Sequence, residues 1–303
     1  MTIGPGGGRS EEMDSEGASR EEISGVPTCY RHPGRETYIR CQRCNRYICP
    51  DCQRQASVGF QCVECVQEAA RTMPTARTRF GGVLRPGGAI VTKVLIGLNL
   101  LVFGAGYLLQ PDLWLAFELI GRASYVRFGP LHGVAEGELW RLLTSTFLHI
   151  QVFHLAVNMF TLWILGPSLE ALLGRWRFTA LYLVSGLAGS AVAYAFTAPN
   201  VGVVGASGSL AGLFGATIVL ARRMQWDVTW LLGILGLNVV INVIYRDALS
   251  WQGHLGGLIA GALLGAFIAY APRERRDLVH VVGFAVVLLA TIGLIVWRTT
   301  QLA

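Results

Sequence analysis

Ser207 sits in a run of small residues, Gly205-Ala206-Ser207-Gly208-Ser209, and His254 opens a second apolar stretch in which Gly257 and Gly261 follow at helical spacing. A serine hydroxyl is inert near neutral pH until a base takes its proton, so a serine and a histidine in contact are the core of nucleophilic acyl transfer. His149, His154 and Asn158 form a third polar set, with Asn158 one helical turn below His154, and offer donors for an oxyanion. No Asp or Glu lies near these positions in their helices, so a dyad is expected rather than a triad. A packing seam is the alternative for Ser207 and the glycines, and an interhelical hydrogen bond for His154 or Asn158. A histidine at the depth of the serine favours the chemistry.

A second chemistry lies upstream. All seven cysteines fall between Cys29 and Cys65, in the pairs Cys29-x2-His32, Cys41-x2-Cys44, Cys49-x2-Cys52 and Cys62-x2-Cys65. An odd cysteine count packed this tightly suits metal ligation better than disulfides, and eight ligands make two tetrahedral zinc sites. Short gaps favour interleaving, so Cys29, His32, Cys49 and Cys52 are assigned to one site and Cys41, Cys44, Cys62 and Cys65 to the other. So small a unit lacks an adequate core, and zinc is expected to supply much of its folding free energy. The spacing resembles B-box and other cross-braced fingers, which mostly bind proteins. A partner-binding role and a purely structural one both stand.

The elements that carry these groups are apolar and long. The chain has 303 residues, 52% hydrophobic and 15% charged. Seven apolar segments follow the cysteines, at about 89–109, 148–169, 178–198, 206–221, 228–245, 253–271 and 279–297, which excludes a soluble globular class. The fourth is short for a spanning helix and is expected to be enclosed by its neighbours. The net charge of +6 is almost all arginine, Lys93 being the single lysine. Clusters at Arg71, Arg77, Arg79 and Arg85, at Arg175 and Arg177, at Arg222 and Arg223, and at Arg273, Arg275 and Arg276 alternate with loops of lower or balanced charge. This is an orientation signal rather than a nucleic-acid stripe, and no nucleic acid is expected as a partner. It places the thiols and the N-terminus in the cytosol and the C-terminus outside. The second, fourth and sixth segments then run from outside to inside, so the serine, the histidines and the asparagine share one depth. Small residues line the contact: Ser207, Ala211 and Gly215 on the fourth segment, and His254, Gly257 and Gly261 on the sixth.

With these residues on the page, the chain resembles the rhomboid family of intramembrane serine proteases over roughly 89–271. Trp140-Arg141 in the long first external loop, His149-x4-His154-x3-Asn158, Gly205-Ala206-Ser207-Gly208 and His254-x2-Gly257-x3-Gly261 stand in the family's order. Together they are far more specific than any one alone. The resemblance implies Ser207 as nucleophile, His254 as base, and His154, Asn158 and the Ser207 N–H as the oxyanion hole. It makes His149 structural or water-organising and has Trp140 and Arg141 brace the loop. One departure is Ala211, where the family often has an aromatic packed on the histidine.

The fold expected is an all-α polytopic membrane protein. It comprises a tail at 1–28, a two-zinc domain at 29–66, a linker at 67–88, a six-helix core at 89–271 and a seventh membrane helix within 272–303. The tail is Gly-rich and acidic, lacks the apolar run of a signal peptide, and is expected to be disordered. The function expected is cleavage of single-span membrane proteins near the outer face of the lipid bilayer, with no cofactor for the chemistry. A cytosolic protein is the candidate partner of the zinc domain, and the arginine-rich composition suggests a bacterial plasma membrane. The competing class is a non-catalytic membrane adaptor that recruits a cytosolic partner through the zinc domain. A transporter lacks the internal repeat and midplane charge that would favour it. His132 and His280 are expected to be solvated or interfacial, Glu170 and Asp247 to be segment-end charges, and Asn238 and Asn242 to be interhelical glue.

Overall fold

The computed structural model describes residues 25–73, 77–83, 88–108, 113–125, 129–230, 232–234, 236 and 250–303. It divides into two compact units, Met1–Pro74 and Thr75–Ala303.

In the first unit, β1 (Thr28–Cys29) pairs antiparallel with β2 (His32–Glu36), and β3 (Gln53–Gln55) with β4 (Phe60–Cys62), before helix α1 (Val63–Thr72). Its buried centre is six of the seven cysteines plus Ile48, with Cys44 packed against them. So thin a core cannot offset the chain entropy of the unit, so the ligand clusters must hold it. Within the stretch 67–88 expected as a linker, α1 runs to Thr72, and from Arg77 the chain belongs to the second unit, where Phe80 joins the main apolar core.

The second unit is helical. Helix α2 (Ile90–Leu108) is followed by the short α3 (Leu113–Phe117), a hairpin of β5 (Ala123–Tyr125) and β6 (Gly129–His132), and one turn of helix, α4 (Arg141–Thr144). Then come α5 (Val152–Leu173), α6 (Arg175–Phe196), α7 (Ser207–Met224), α8 (Trp251–Ala269) and α9 (Arg276–Leu302). Among the described residues five helices are long and apolar enough to cross a membrane: α2, α5, α6, α8 and α9. Helix α7 is not one of them. It packs against α5, α6 and α8, with Leu213 and Leu220 fully buried. The outer face of α9 exposes Leu278, Val282, Val286, Leu289 and Val296, as a lipid-facing surface requires. Almost all of the fifth apolar segment, with Asn238, Asn242 and Asp247, lies outside the described residues.

Several charges expected at solvated ends are buried. Glu170 accepts from the Val91 and Thr92 N–H groups at 3.0 and 2.8 Å and from the Thr92 hydroxyl at 2.9 Å. It therefore caps the start of α2 from a neighbouring helix rather than facing water. Arg177 is 2% exposed and donates to His280 Nδ1 at 2.8 Å, to the Gly81 carbonyl at 3.0 Å and to Asp277. His280 is fully buried by this contact, which ties α9 to the rest of the bundle, so it is neither solvated nor interfacial.

Candidate active site and metal clusters

Ser207 is the first residue of α7, reached through Gly205, whose φ of 124° favours glycine. The Gly205 N–H bonds the Ser145 carbonyl at 2.9 Å, which fixes this turn. A side chain at Gly205 would have no room, because a Cβ there would lie 2.6 Å from His154 Cε1, 2.9 Å from its Nε2 and 3.7 Å from Ser207 Oγ. The space that a side chain at Gly205 would fill is thus bordered by the His154 imidazole and the Ser207 hydroxyl.

Asn158 takes another place. Its amide nitrogen lies 2.9 Å from Nε2 of the fully buried His149, and the same nitrogen receives the Ala206 N–H at 3.5 Å. The His149 and His154 rings meet edge to face, 5.0 Å between centres. Of the two side chains expected at an oxyanion, His154 lies with Ser207 around Gly205, and Asn158 uses one of its two amide hydrogens on His149, which leaves a further N–H.

His254 lies in the first turn of α8, and its Nδ1 is buried without a hydrogen-bond partner among the described residues. The helix it sits on is pressed against α7. A Cβ on Gly257 would overlap the Gly208 carbonyl, one on Gly261 would overlap the Gly212 backbone, and one on Gly265 would lie 2.8 Å from Ala216 Cα. The constant sequence offset of these pairs means that α7 and α8 run parallel. A Cβ on Gly208 would also lie 3.4 Å from the Gly253 carbonyl, which sets the turn bearing His254 beside the turn bearing Ser207. The seam on α7 includes Gly208, Gly212, Gly215 and Ala216, so Gly215 of the expected set lies in it, joined by Gly208 and Gly212. Gly215 meets α8 at the backbone of Leu258 and Ala262.

The loop before α5 is braced by a buried arginine. Arg141 donates to Glu138 at 2.6 Å and to the Leu115 and Glu118 carbonyls at 2.8 and 3.0 Å, while the Trp140 indole reaches the Ala116 carbonyl at 3.4 Å. Glu138 also binds His132 at 3.2 Å and the Gly133 N–H at 2.9 Å, so His132 is a paired group rather than a solvated one. Burial raises the Glu138 carboxyl, but the Arg141 and His132 hydrogen bonds outweigh it and hold the group below its ordinary value. Glu138 was legible only as an acid three residues ahead of Arg141.

In the first unit the ligand atoms form two groups, Cys29, His32, Cys49 and Cys52, and Cys41, Cys44, Cys62 and Cys65, each within 4.8 Å. His32 Nδ1 lies 3.7, 3.3 and 3.4 Å from the sulfurs of Cys29, Cys49 and Cys52, and Cys44 lies 3.7 Å from Cys62. Tetrahedral bonds of zinc length have edges of roughly 3.5 Å for S to N and 3.8 Å for S to S, so both clusters fit a metal ion. Burial and the neighbouring thiols push Cys52 up to about 11 and Cys65 up to about 12. Backbone N–H donors outweigh burial and bring Cys29 and Cys41 down to about 6.

Comparison with known proteins bears on the helical unit. Residues 136–271 match the rhomboid domain family. The chain is 32% identical over 237 residues to rhomboid protease GluP of Bacillus subtilis (strain 168), covering 69% of this chain and 44% of that one. It is 34% identical over 177 residues to YdcA of the same organism, whose name assigns it to the same family, covering 55% of this chain and 88% of that one. RHOMBOID-like protein 5 of Arabidopsis thaliana is 29% identical over 232 residues, covering 66% and 74%. The chain thus spans less than half the length of GluP and most of YdcA.

Proposed function

Since the chain belongs to the rhomboid family, we propose that it is an intramembrane serine endopeptidase in which Ser207 is the nucleophile and His254 the general base. His254 takes the hydroxyl proton as Ser207 Oγ bonds to the scissile carbonyl carbon. The oxygen of that carbonyl becomes an oxyanion, for which the His154 ring, the Asn158 amide and the Ser207 N–H are the donors. Collapse breaks the C–N bond, the proton passes from His254 to the leaving amine, and water, activated by the same histidine, hydrolyses the acyl-enzyme. The observation that carries this reading is the gap at Gly205, where Ser207 Oγ and the His154 ring converge beside the glycine seam that brings α8 to α7.

The substrates are single-span membrane proteins cut near the outer face. A helical peptide bond is hydrogen-bonded and shielded, so residues that weaken the helix near the scissile bond are required. Alternating arginine clusters orient the protein with the metal unit in the cytosol and the C-terminus outside, in a bacterial plasma membrane. Both metal sites hold zinc, which keeps that unit folded for a cytosolic protein partner and takes no part in the hydrolysis. The boundaries at 29–66, 67–88, 89–271 and 272–303 mark the metal unit, the connection, the catalytic core and the added helix.

The test is cleavage of a single-span reporter with a helix-weakened segment by purified, detergent-solubilised protein. Loss of cleavage in both Ser207→Ala and His254→Ala, with metal content unchanged, is the expected result. Cleavage by both variants would sink the dyad, and no cleavage by the wild type across several reporters would favour the adaptor.

A further inference from the structure

A cavity of about 660 Å³ in the helical unit lies away from Ser207, where α5 ends and α2 and α6 begin. Its walls include Arg77, Gly88, Glu170, Arg175, Trp176 and Arg177. Measured along α5 from His154, this end is some twenty residues away, roughly 25–30 Å at 1.5 Å per residue. Lys93 stands at its edge, with Nζ 3.8 Å from where a Cβ on Gly88 would be.

The charges here are unbalanced in a specific way. Both carboxylates on the wall are already engaged, Glu170 by the first turn of α2 and Asp277 by Arg177. The side chains of Arg175 and Lys93 have no hydrogen-bond or ion-pair partner among the described residues, and Arg77 stands 3.9 Å from Asp277, beyond hydrogen-bond reach. The start of α6 adds backbone donors, since Gly174 provides no side-chain cap. Trp176 is half exposed, lies 6.0 Å from the Phe284 ring, and has the Arg177 guanidinium 4.5 Å above it. A tryptophan with one wet face beside a basic cavity at helix ends is the arrangement found at headgroup depth in a bilayer.

We propose that this cavity binds a phosphate group between Arg77, Lys93 and Arg175, with an anionic phospholipid headgroup as its source. Its position at the membrane boundary and the Trp176 ring favour lipid over a soluble phosphate. The proposal does not depend on proteolysis, because its readout is binding, and a chain that cleaved nothing could still pass.

The full chain in neutral detergent is titrated with phosphatidylglycerol, phosphatidylcholine and inorganic phosphate, with bound ligand followed by native mass spectrometry and thermal stability alongside. Phosphatidylglycerol is expected to bind in preference to phosphatidylcholine, and to bind roughly 30-fold more weakly to the Arg77→Gln, Arg175→Gln double variant. The double variant Arg222→Gln, Arg223→Gln, at the end of α7, is expected to bind as wild type. If the first double variant does not fold, Lys93→Gln replaces it, with several-fold weakening expected. Stabilisation by inorganic phosphate that needs the same residues, with no lipid preference, would keep the phosphate site and overturn its lipid source. Equal binding of both lipids without a phosphate effect, or equal loss in the α7 control, would overturn the site.

Discussion

Replacing Gly257 by alanine tests whether the α7–α8 seam sets the distance between Ser207 and His254. The added Cβ would overlap the Gly208 carbonyl oxygen and lie 2.8 Å from its carbon, against ordinary contact from 3.4 Å outwards. Both obstacles are backbone atoms of a buried helix, so no side-chain rotation relieves them, and the helices must part by about 1 Å. His254 is three residues before Gly257 and Ser207 one residue before Gly208, so nearly all of that movement reaches the reacting pair. A misplacement of that size costs about 100-fold in rate, whereas the strain costs about 1–3 kcal/mol of stability. Turnover of the single-span reporter is measured together with thermal unfolding in the same detergent, with Gly293→Ala as control, because nothing lies within 4 Å of a Cβ there. The expected result is a folded Gly257→Ala protein some 100-fold slower than wild type and a Gly293→Ala protein near the wild-type rate. A folded Gly257→Ala protein with full turnover would refute the claim that the seam positions the dyad, and an equal loss in Gly293→Ala would show that any added methyl slows the enzyme.

Glu138→Gln removes the charge partner of the buried Arg141 and should cost about 3 kcal/mol at neutral pH in thermal unfolding. Because the Glu138 carboxyl is held below its ordinary value, its contribution is complete above about pH 4.3 and fades as pH falls through the lower folded value. Wild type should therefore lose stability in that acidic window and Glu138→Gln should lose less; parallel pH curves would refute the assignment. Glu170→Ala leaves the Val91 and Thr92 N–H groups buried without an acceptor, and a loss of about 2–4 kcal/mol is expected, against little change if water replaces the carboxylate. Metal analysis should find two zinc ions per chain and one in Cys62→Ser; two in that variant would rule out Cys62 as a ligand.

Much of the site was legible in one dimension. The eight candidate metal ligands announce themselves because cysteine and histidine pairs at this spacing have few other uses, and the two interleaved clusters follow the short gaps between pairs. Ser207, His154 and His254 stood out because polar groups are costly in apolar segments. The helix ends were legible to within a few residues, since arginines and glycines punctuate the apolar runs.

What the residues alone could not decide were pairings between distant parts of the chain. Arg177 and His280 are 103 positions apart, and Glu170 caps a helix through Val91, 79 positions earlier. Each looked like an ordinary charged or titratable end residue, because its partner is supplied only when the helices pack. The contact of Asn158 with His149 belongs to the same kind, since the turn before α5 brings His149 close only in the folded bundle. The full membership of the seam was decided for a related reason. Composition shows that small residues let α7 and α8 approach, but which face is buried depends on rotation about the helix axis. That rotation is fixed by the backbone contacts of Gly208 with Gly257 and of Gly212 with Gly261, and those contacts form only in the folded bundle.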